Sequence, residues 1–170
     1  MSKNILNPHK FKTNLFDDSR GHLLTLDLEA NLFLKHKFKY ELFSYTAKKN
    51  IFRGMHFQKP PFEQNKLLIL IKGKITDYIV NINSNSEFGR IYEYKMNAGD
   101  ILWIPKGFCH GFKTNSKYVL INYKLSQRFS KKDYCGIVPE KFEINIDKIS
   151  RSQQDKNCKT TLDSLKKIKW

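Results

Sequence analysis

The middle of the chain is written in short apolar runs interrupted at every second position by polar residues. In "ITDYIVNIN", Thr76, Tyr78, Val80 and Ile82 alternate with Asp77, Ile79 and Asn81, and in "RIYEYKM" the residues Tyr92, Tyr94 and Met96 share one face. A period of two is that of a β-strand, whose side chains point to opposite faces in turn. "KLLILI", "ILWIPKGFCHGF" and "YVLINYKLS" read as further strands, punctuated by turns at "NSNSEFG", "NAGD" and Lys72-Gly73-Lys74. Strands at roughly ten-residue spacing predict an antiparallel sandwich or barrel, because parallel strands need helical crossovers for which there is no room. Helix is predicted only near Leu28 to Leu34 and at the end of the chain, where Leu162, Leu165 and Ile168 share a face behind a Thr160 cap.

The 170 residues suffice to bury a core and predict a single domain, 1–170, with the segment from about residue 140 onward flanking the barrel. No internal repeat or long linker divides it, and the termini are expected to be its most mobile parts. There is no run of eighteen apolar residues, and the Lys-rich start lacks an apolar stretch. Neither a spanning helix nor a signal peptide is expected, and the expected location is cytoplasmic. Cys109, Cys135 and Cys158 are odd in number and far apart, which predicts reduced thiols rather than a disulfide framework or a zinc site. A net charge of +15, from 31 basic and 16 acidic residues, favours anionic partners. The lysines are scattered and no nucleic-acid-binding motif accompanies them, so an anionic small molecule is expected and nucleic acid is not.

Against this background "FRGMHFQ" is out of character. On a strand, His56 and Gln58 point one way with Gly54, while Met55 and Phe57 point the other, so a polar face is set into an apolar scaffold. A histidine bonded within a core would explain it, and so would a catalytic base. Two other runs carry similar features. "WIPKGFCHGF" places His110 after a Pro-Lys-Gly turn, and "INYKLS" places Tyr123 on the face of Val119, Ile121 and Leu125. Each also has a plain structural reading, as a histidine bonded to backbone and a core aromatic with a satisfied hydroxyl.

Taken together, "RGMHFQ", "KLLILIKGKITDYIVNI", "SEFGRIY", "LWIPKGFCHGF" and "NYK" follow, in order and spacing, the dTDP-4-dehydrorhamnose 3,5-epimerases, nucleotide-sugar epimerases of the cupin superfamily. The resemblance runs from Asp18-Ser19-Arg20-Gly21 to Tyr123-Lys124 and more weakly to the end. It implies an all-β cupin jelly-roll barrel with a few short flanking helices, paired as a homodimer. It also implies inversion of C3, C5 or both in a 4-keto-6-deoxy sugar nucleotide, without a cofactor or a metal, in the making of bacterial surface polysaccharide. Both carbons are α to the C4 carbonyl, so removing either proton gives an enolate, and the enzyme must supply a base, an acid and a positive group. By resemblance His56 is the base, Tyr123 the acid on the opposite face and Lys66 the cation at the enolate oxygen. Asp155, in "SRSQQDKN", is expected to bond and orient His56, with Asp163 and Asp147 as the alternatives. Arg20, Arg53, Gln58, His110 and Arg128 are the expected substrate-binding residues.

The chain also departs from the family. "RGHLLT" stands where Arg-Gly-x-Phe-x-Glu is usual, placing Leu23 and Thr25 at positions that commonly help to bind the nucleotide. Glu41-Leu42-Phe43 replaces the usual Gln-x-Asn, and Arg128 replaces an aromatic residue. These changes predict the same chemistry on a different sugar nucleotide. A metal-dependent cupin would need a His-x-His with a carboxylate and a later His, but the companion of His56 is Gln58. The same Gln58 argues against a 3,4-ketoisomerase. A sugar-nucleotide-binding protein without activity is the non-enzyme alternative.

Overall fold

The structure is a computed structural model, and it describes residues 6–25, 37–146 and 149–170. The helix predicted near Leu28 to Leu34 lies outside these residues. The strands are, in chain order, β1 (His9–Lys12), β2 (Asn14–Asp18), β3 (Gly21–Thr25), β4 (Tyr40–Thr46), β5 (Phe52–Gln58) and β6 (Lys66–Lys72), of which the sequence pattern predicted only the last two. They continue as β7 (Lys74–Asn81), β8 (Ile91–Asn97), β9 (Asp100–Ile104), β10 (Phe108–Thr114), β11 (Val119–Leu125) and β12 (Tyr134–Gly136). One antiparallel sheet runs β1-β9-β6-β11-β4, a second runs β12-β5-β10-β7-β8, and β2 and β3 form a separate hairpin. The fold is the all-β cupin jelly roll, with two short helices, α1 (Gln153–Lys156) and α2 (Leu162–Lys166), after the barrel.

The inner faces of the two large sheets meet in one core. Leu68 and Leu70 of β6 and Ile121, Tyr123 and Leu125 of β11 pack against Ile75 and Ile79 of β7, Met96 of β8 and Phe112 of β10. Fully burying each large aliphatic side chain stabilises by about 1.5–3 kcal/mol. The outer faces are covered as well. Phe52, Met55, Phe57, Val80 and Ile82 lie under Phe142, Ile144, Ile146 and Leu165 of the C-terminal segment. Leu67, Ile69, Ile101 and Trp103 pack with Phe11, Leu24 and Phe38 on the other side. Strands buried on both faces lose the clean in-out alternation. For that reason "KLLILI" is nearly continuous, and β7 buries Asp77 as thoroughly as Val80.

The C-terminal residues pack onto the barrel. Trp170 Nε1 donates to the Ile82 carbonyl at 3.0 Å, and its ring packs on Phe57 with centroids 5.9 Å apart. The cap of α2 is Thr161 and not Thr160: Thr161 Oγ1 accepts from Ser164 N at 3.2 Å, and Ser164 Oγ accepts from Thr161 N at 3.1 Å. Cys109, Cys135 and Cys158 are free thiols. Among the described residues no helix is long and apolar enough to cross a membrane.

Candidate active site

β5 and β10 are neighbours in the second sheet, with His56 opposite His110 in the register. The two backbones come unusually close there. A Cβ built on Gly54, which has φ +122°, would lie 2.5 Å from Gly111 Cα, and one on Gly111 would lie 2.8 Å from the Arg53 carbonyl oxygen. Glycine at both positions lets the strands approach, and both histidines line the same cavity. Met55 and Phe57 enter the outer core, while His56 and Gln58 line a cavity of about 460 Å³ that Phe57 also borders. Lys66 from β6 and Tyr123 from β11, strands of the other sheet, line the same cavity.

Asp155 reaches the cavity from α1. Ser152 caps that helix, its Oγ accepting from Asp155 N at 3.1 Å, and the turn presents the carboxylate to β5. Asp155 Oδ1 stands 2.8 Å from His56 Nε2, and Oδ2 accepts from Gly54 N at 3.4 Å. Burial pushes the Asp155 carboxyl up, but the hydrogen bond and charge of His56, with Gly54 and Ser152, outweigh it and hold the group below the usual carboxylate range. An ionised carboxylate only accepts, so Nε2 carries a proton towards Asp155, and in the neutral tautomer of the ring the lone pair is on Nδ1. Of the two alternatives, Asp163 lies in α2 and Asp147 lies outside the described residues.

The remaining polar groups are tuned mainly by burial. The Lys66 amine is pushed down to about 8 by burial, with Asp77 and Cys109 pulling it back up. Burial drives His110 well below the ordinary histidine range, and the charges of Lys66 and His56 add to this. His110 is therefore a neutral hydrogen-bonding ring and not a cation. Tyr123 is pushed well above the ordinary phenol range by burial and by Asp77, with Arg53 opposing, so it keeps its proton. Its ring lies 5.9 Å from that of His110.

The other predicted site residues are distributed unevenly. Arg53 lies along the cavity with Nε donating to Thr46 Oγ1 at 2.9 Å. Gln58 faces the cavity, but its amide is taken up by the chain: Nε2 donates to the carbonyls of Phe62 at 2.7 Å and Arg128 at 3.0 Å, and Oε1 accepts from Ser130 N at 2.8 Å. Arg128 is not in the lining, and its guanidinium stands 5.2 Å from the Phe62 ring centroid. Arg20 is also outside the lining, ion-paired with Asp18 at 2.6 Å in the β2–β3 hairpin. The sequence reading missed Tyr134, whose ring packs 5.2 Å from His56, and Asp77, which is fully buried behind the lining. Nothing in the local pattern marks Tyr134, since β12 is only three residues long. Among the described residues no group of three or more His, Cys, Asp or Glu is placed to hold a metal ion.

A cavity of mixed polar and aromatic lining sunk into a cupin barrel, with a carboxylate-bonded histidine at its wall, fits a class: the small cupin-type carbohydrate isomerases. Within that class the chain belongs to the dTDP-4-dehydrorhamnose 3,5-epimerase family, whose sequence profile matches residues 3–163. The family's Shigella flexneri protein is 31% identical over 144 residues, which are 81% of this chain and 79% of that one. The Escherichia coli protein is 36% identical over 104 residues, covering 59% of this chain and 56% of the relative. Among solved structures, the Bacillus anthracis dTDP-4-dehydrorhamnose 3,5-epimerase with TDP and PPi bound superposes with a TM-score of 0.81 at 28% identity, over 92% of this chain and 95% of that one. The Sulfolobus tokodaii enzyme gives 0.80 at 27% identity, over 98% and 96%.

Proposed function

We propose that this chain inverts C3, C5 or both of a 4-keto-6-deoxy sugar nucleotide by proton transfer, in the cytoplasm, for the synthesis of a bacterial surface polysaccharide. The observation that carries the mechanism is the 2.8 Å bond between His56 Nε2 and Asp155 Oδ1, in the cavity that also holds Lys66 and Tyr123. His56 Nδ1 takes the proton from the carbon next to the ketone, and the electron pair moves onto the C4 oxygen as an enolate. Asp155 stabilises the imidazolium that results. Lys66, cationic at neutral pH, faces the growing negative charge in a buried setting where a cation counts for more than in water. Tyr123 then gives its proton to the opposite face of the carbon, and the inverted ketone forms as the enolate collapses. The phenolate regains a proton from solvent, and His56 loses one to it.

The nucleotide end is anionic, and Arg53 at the cavity edge suits a diphosphate. The TDP and PPi held by the Bacillus anthracis relative support a nucleotide ligand. We also propose a homodimer. Leu15, Phe16 and Leu23 of the hairpin and Leu42, Phe43 and Tyr45 of β4 expose 39–64% of their surface, an apolar area that a second copy would cover.

The test is NMR in D2O with a panel of 4-keto-6-deoxy sugar nucleotides. Deuterium entering at C3 or C5 with inversion is the expected result, and the position labelled identifies the centre. A panel that binds without any exchange at either carbon overturns the reading and leaves a binding protein.

A further inference from the structure

Asp155 holds a single atom of the His56 ring, and one hydrogen bond leaves an imidazole free to turn about that bond. The 2.8 Å contact at Nε2 fixes a tautomer and a distance. It does not fix the plane of the ring, and the lone pair on Nδ1 lies in that plane. Whether Nδ1 aims at a C–H bond therefore depends on what the ring packs against. A reacting group misplaced by about 1 Å can lose about a hundredfold in rate.

The imidazole packs against Tyr134. The two ring centroids are 5.2 Å apart and the planes are inclined by 47°. Gly136 stands directly opposite His56 in the register of β12 and β5 and offers no side chain, so the support comes from the diagonal neighbour, Tyr134, which pairs with Gln58. Tyr134 is braced in turn. Phe129 packs against it with centroids 5.4 Å apart, and all three rings line the cavity. The backbone is held as well: Tyr134 N donates to the Ser130 carbonyl at 2.8 Å, and Ser130 N donates to Gln58 Oε1 at 2.8 Å.

We propose that Tyr134 is a positioning residue, holding the ring plane of His56 while Asp155 holds its Nε2. This rests on the epimerase reading for its purpose. The hydroxyl is not the working part. Tyr134 belongs to the same sheet as His56, whereas inversion needs a donor on the opposite side, and Tyr123 comes from the other sheet. Burial, with Asp155, Cys158 and Cys135 adding to it, pushes the phenol above its ordinary range, so it keeps its proton and is no second base. What Tyr134 supplies is a flat, stiff wall, with only two side-chain torsions to fix.

The experiment compares Tyr134→Leu, which keeps apolar bulk without the flat ring, with Tyr134→Phe, which keeps the ring alone. If the leucine variant does not fold, Tyr134→Thr, a β-branched residue suited to an edge strand, serves in its place. NMR relaxation of the His56 ring in histidine-labelled protein needs no substrate, and His56→Asn assigns the signal. The ring is expected to become more mobile in Tyr134→Leu and to regain its order in Tyr134→Phe. In deuterium exchange of a dTDP-linked 4-keto-6-deoxy hexose, Tyr134→Leu should lose about tenfold or more in kcat with KM within about threefold, and Tyr134→Phe should recover most of the loss. A His56 ring as ordered in the leucine variant as in the parent overturns the proposal. So does a loss confined to KM, which would put Tyr134 on the substrate, or a phenylalanine variant as slow as the leucine one, which would give the role to the hydroxyl. Absence of exchange in the unmodified protein would count against the epimerase reading instead, and the relaxation measurement would still decide the role of Tyr134.

Discussion

His56 and Asp155 are 99 residues apart in the chain and meet at 2.8 Å, because a four-residue helix capped by Ser152 docks against β5. The contact fixes which imidazole nitrogen is free. It also makes the proposed base depend on a segment outside the barrel.

Asp155→Asn should keep the fold but lose the preference for the Nε2–H tautomer. An amide can donate to Nε2, which would move the ring proton to Nδ1 and remove the lone pair from the cavity. The expected loss in exchange rate is about a hundredfold or more, with little change in substrate affinity. A variant within a few-fold of the parent would show that the pair is structural.

The same carboxylate makes a prediction about acid stability. Asp155 is held below its unfolded value, so the unfolded chain binds more protons as the pH falls. Its stabilising contribution is present above about pH 4, the ordinary carboxylate value, and is lost as the pH falls through the lower native value. Denaturant unfolding of Asp155→Asn between neutrality and about pH 3 should therefore show a shallower decline than the parent. Parallel curves would mean that the native carboxyl titrates normally.

Gln58 is expected to matter more for stability than for binding. Its three hydrogen bonds tie the cavity wall to Phe62, Arg128 and Ser130, and Gln58→Leu would leave those backbone groups without partners. At about 1–3 kcal/mol for each buried group that cannot find water, a total loss of about 2–4 kcal/mol is expected in denaturant unfolding. A variant of unchanged stability with greatly weakened substrate binding would return Gln58 to the role that the sequence pattern implied.

The strands were legible because a period of two survives in β7, β8 and β11, and the face carrying Tyr123 was read correctly from Val119, Ile121 and Leu125. His56 was legible for the opposite reason, as a polar interruption of an apolar strand. Asp77 was hidden. The alternation in "ITDYIVNIN" set it on the face opposite Thr76 and Val80, and nothing in a sequence says that both faces are covered. Asp155 could be named only by resemblance, since its partner comes from the far end of the chain. Arg20 matched by position in a motif and Arg128 stood where relatives carry an aromatic residue, but position along a strand or loop does not say which side of the barrel a guanidinium will meet. In this chain they meet Asp18 and Phe62.

Base and acid should separate by isotope. His56→Asn is expected to abolish deuterium exchange at every exchangeable ring carbon, a loss of about 10²–10⁴-fold or more. Tyr123→Phe removes only the donor on the other face, so deuterium should still enter while net inversion is impaired. Normal inversion by the phenylalanine variant would leave Tyr123 as packing.

The final prediction concerns the nucleotide. The positions that depart from the family, Leu23, Thr25, Glu41, Phe43 and Arg128, are not among the residues lining the cavity, although Leu42 is. Leu23 and Phe43 are 64% and 62% exposed, and Glu41 bonds Asn122 at 2.9 Å and pairs with Lys124 at 2.5 Å. Arg128 is turned onto Phe62 and offers no aromatic face for a base to stack on. A pocket selects strongly when a wrong partner leaves its buried hydrogen-bonding groups unpaired, at about 1–3 kcal/mol each. Exposed leucine and phenylalanine carry no such penalty, whereas Arg53, in its proposed role, would hold any diphosphate alike. Calorimetric titrations with dTDP, UDP, CDP and GDP should therefore give affinities within about tenfold of one another, one such polar group being worth roughly that factor. A dTDP preference well beyond tenfold would mean that the base is read by groups other than these, and the departures would then be neutral changes on the surface.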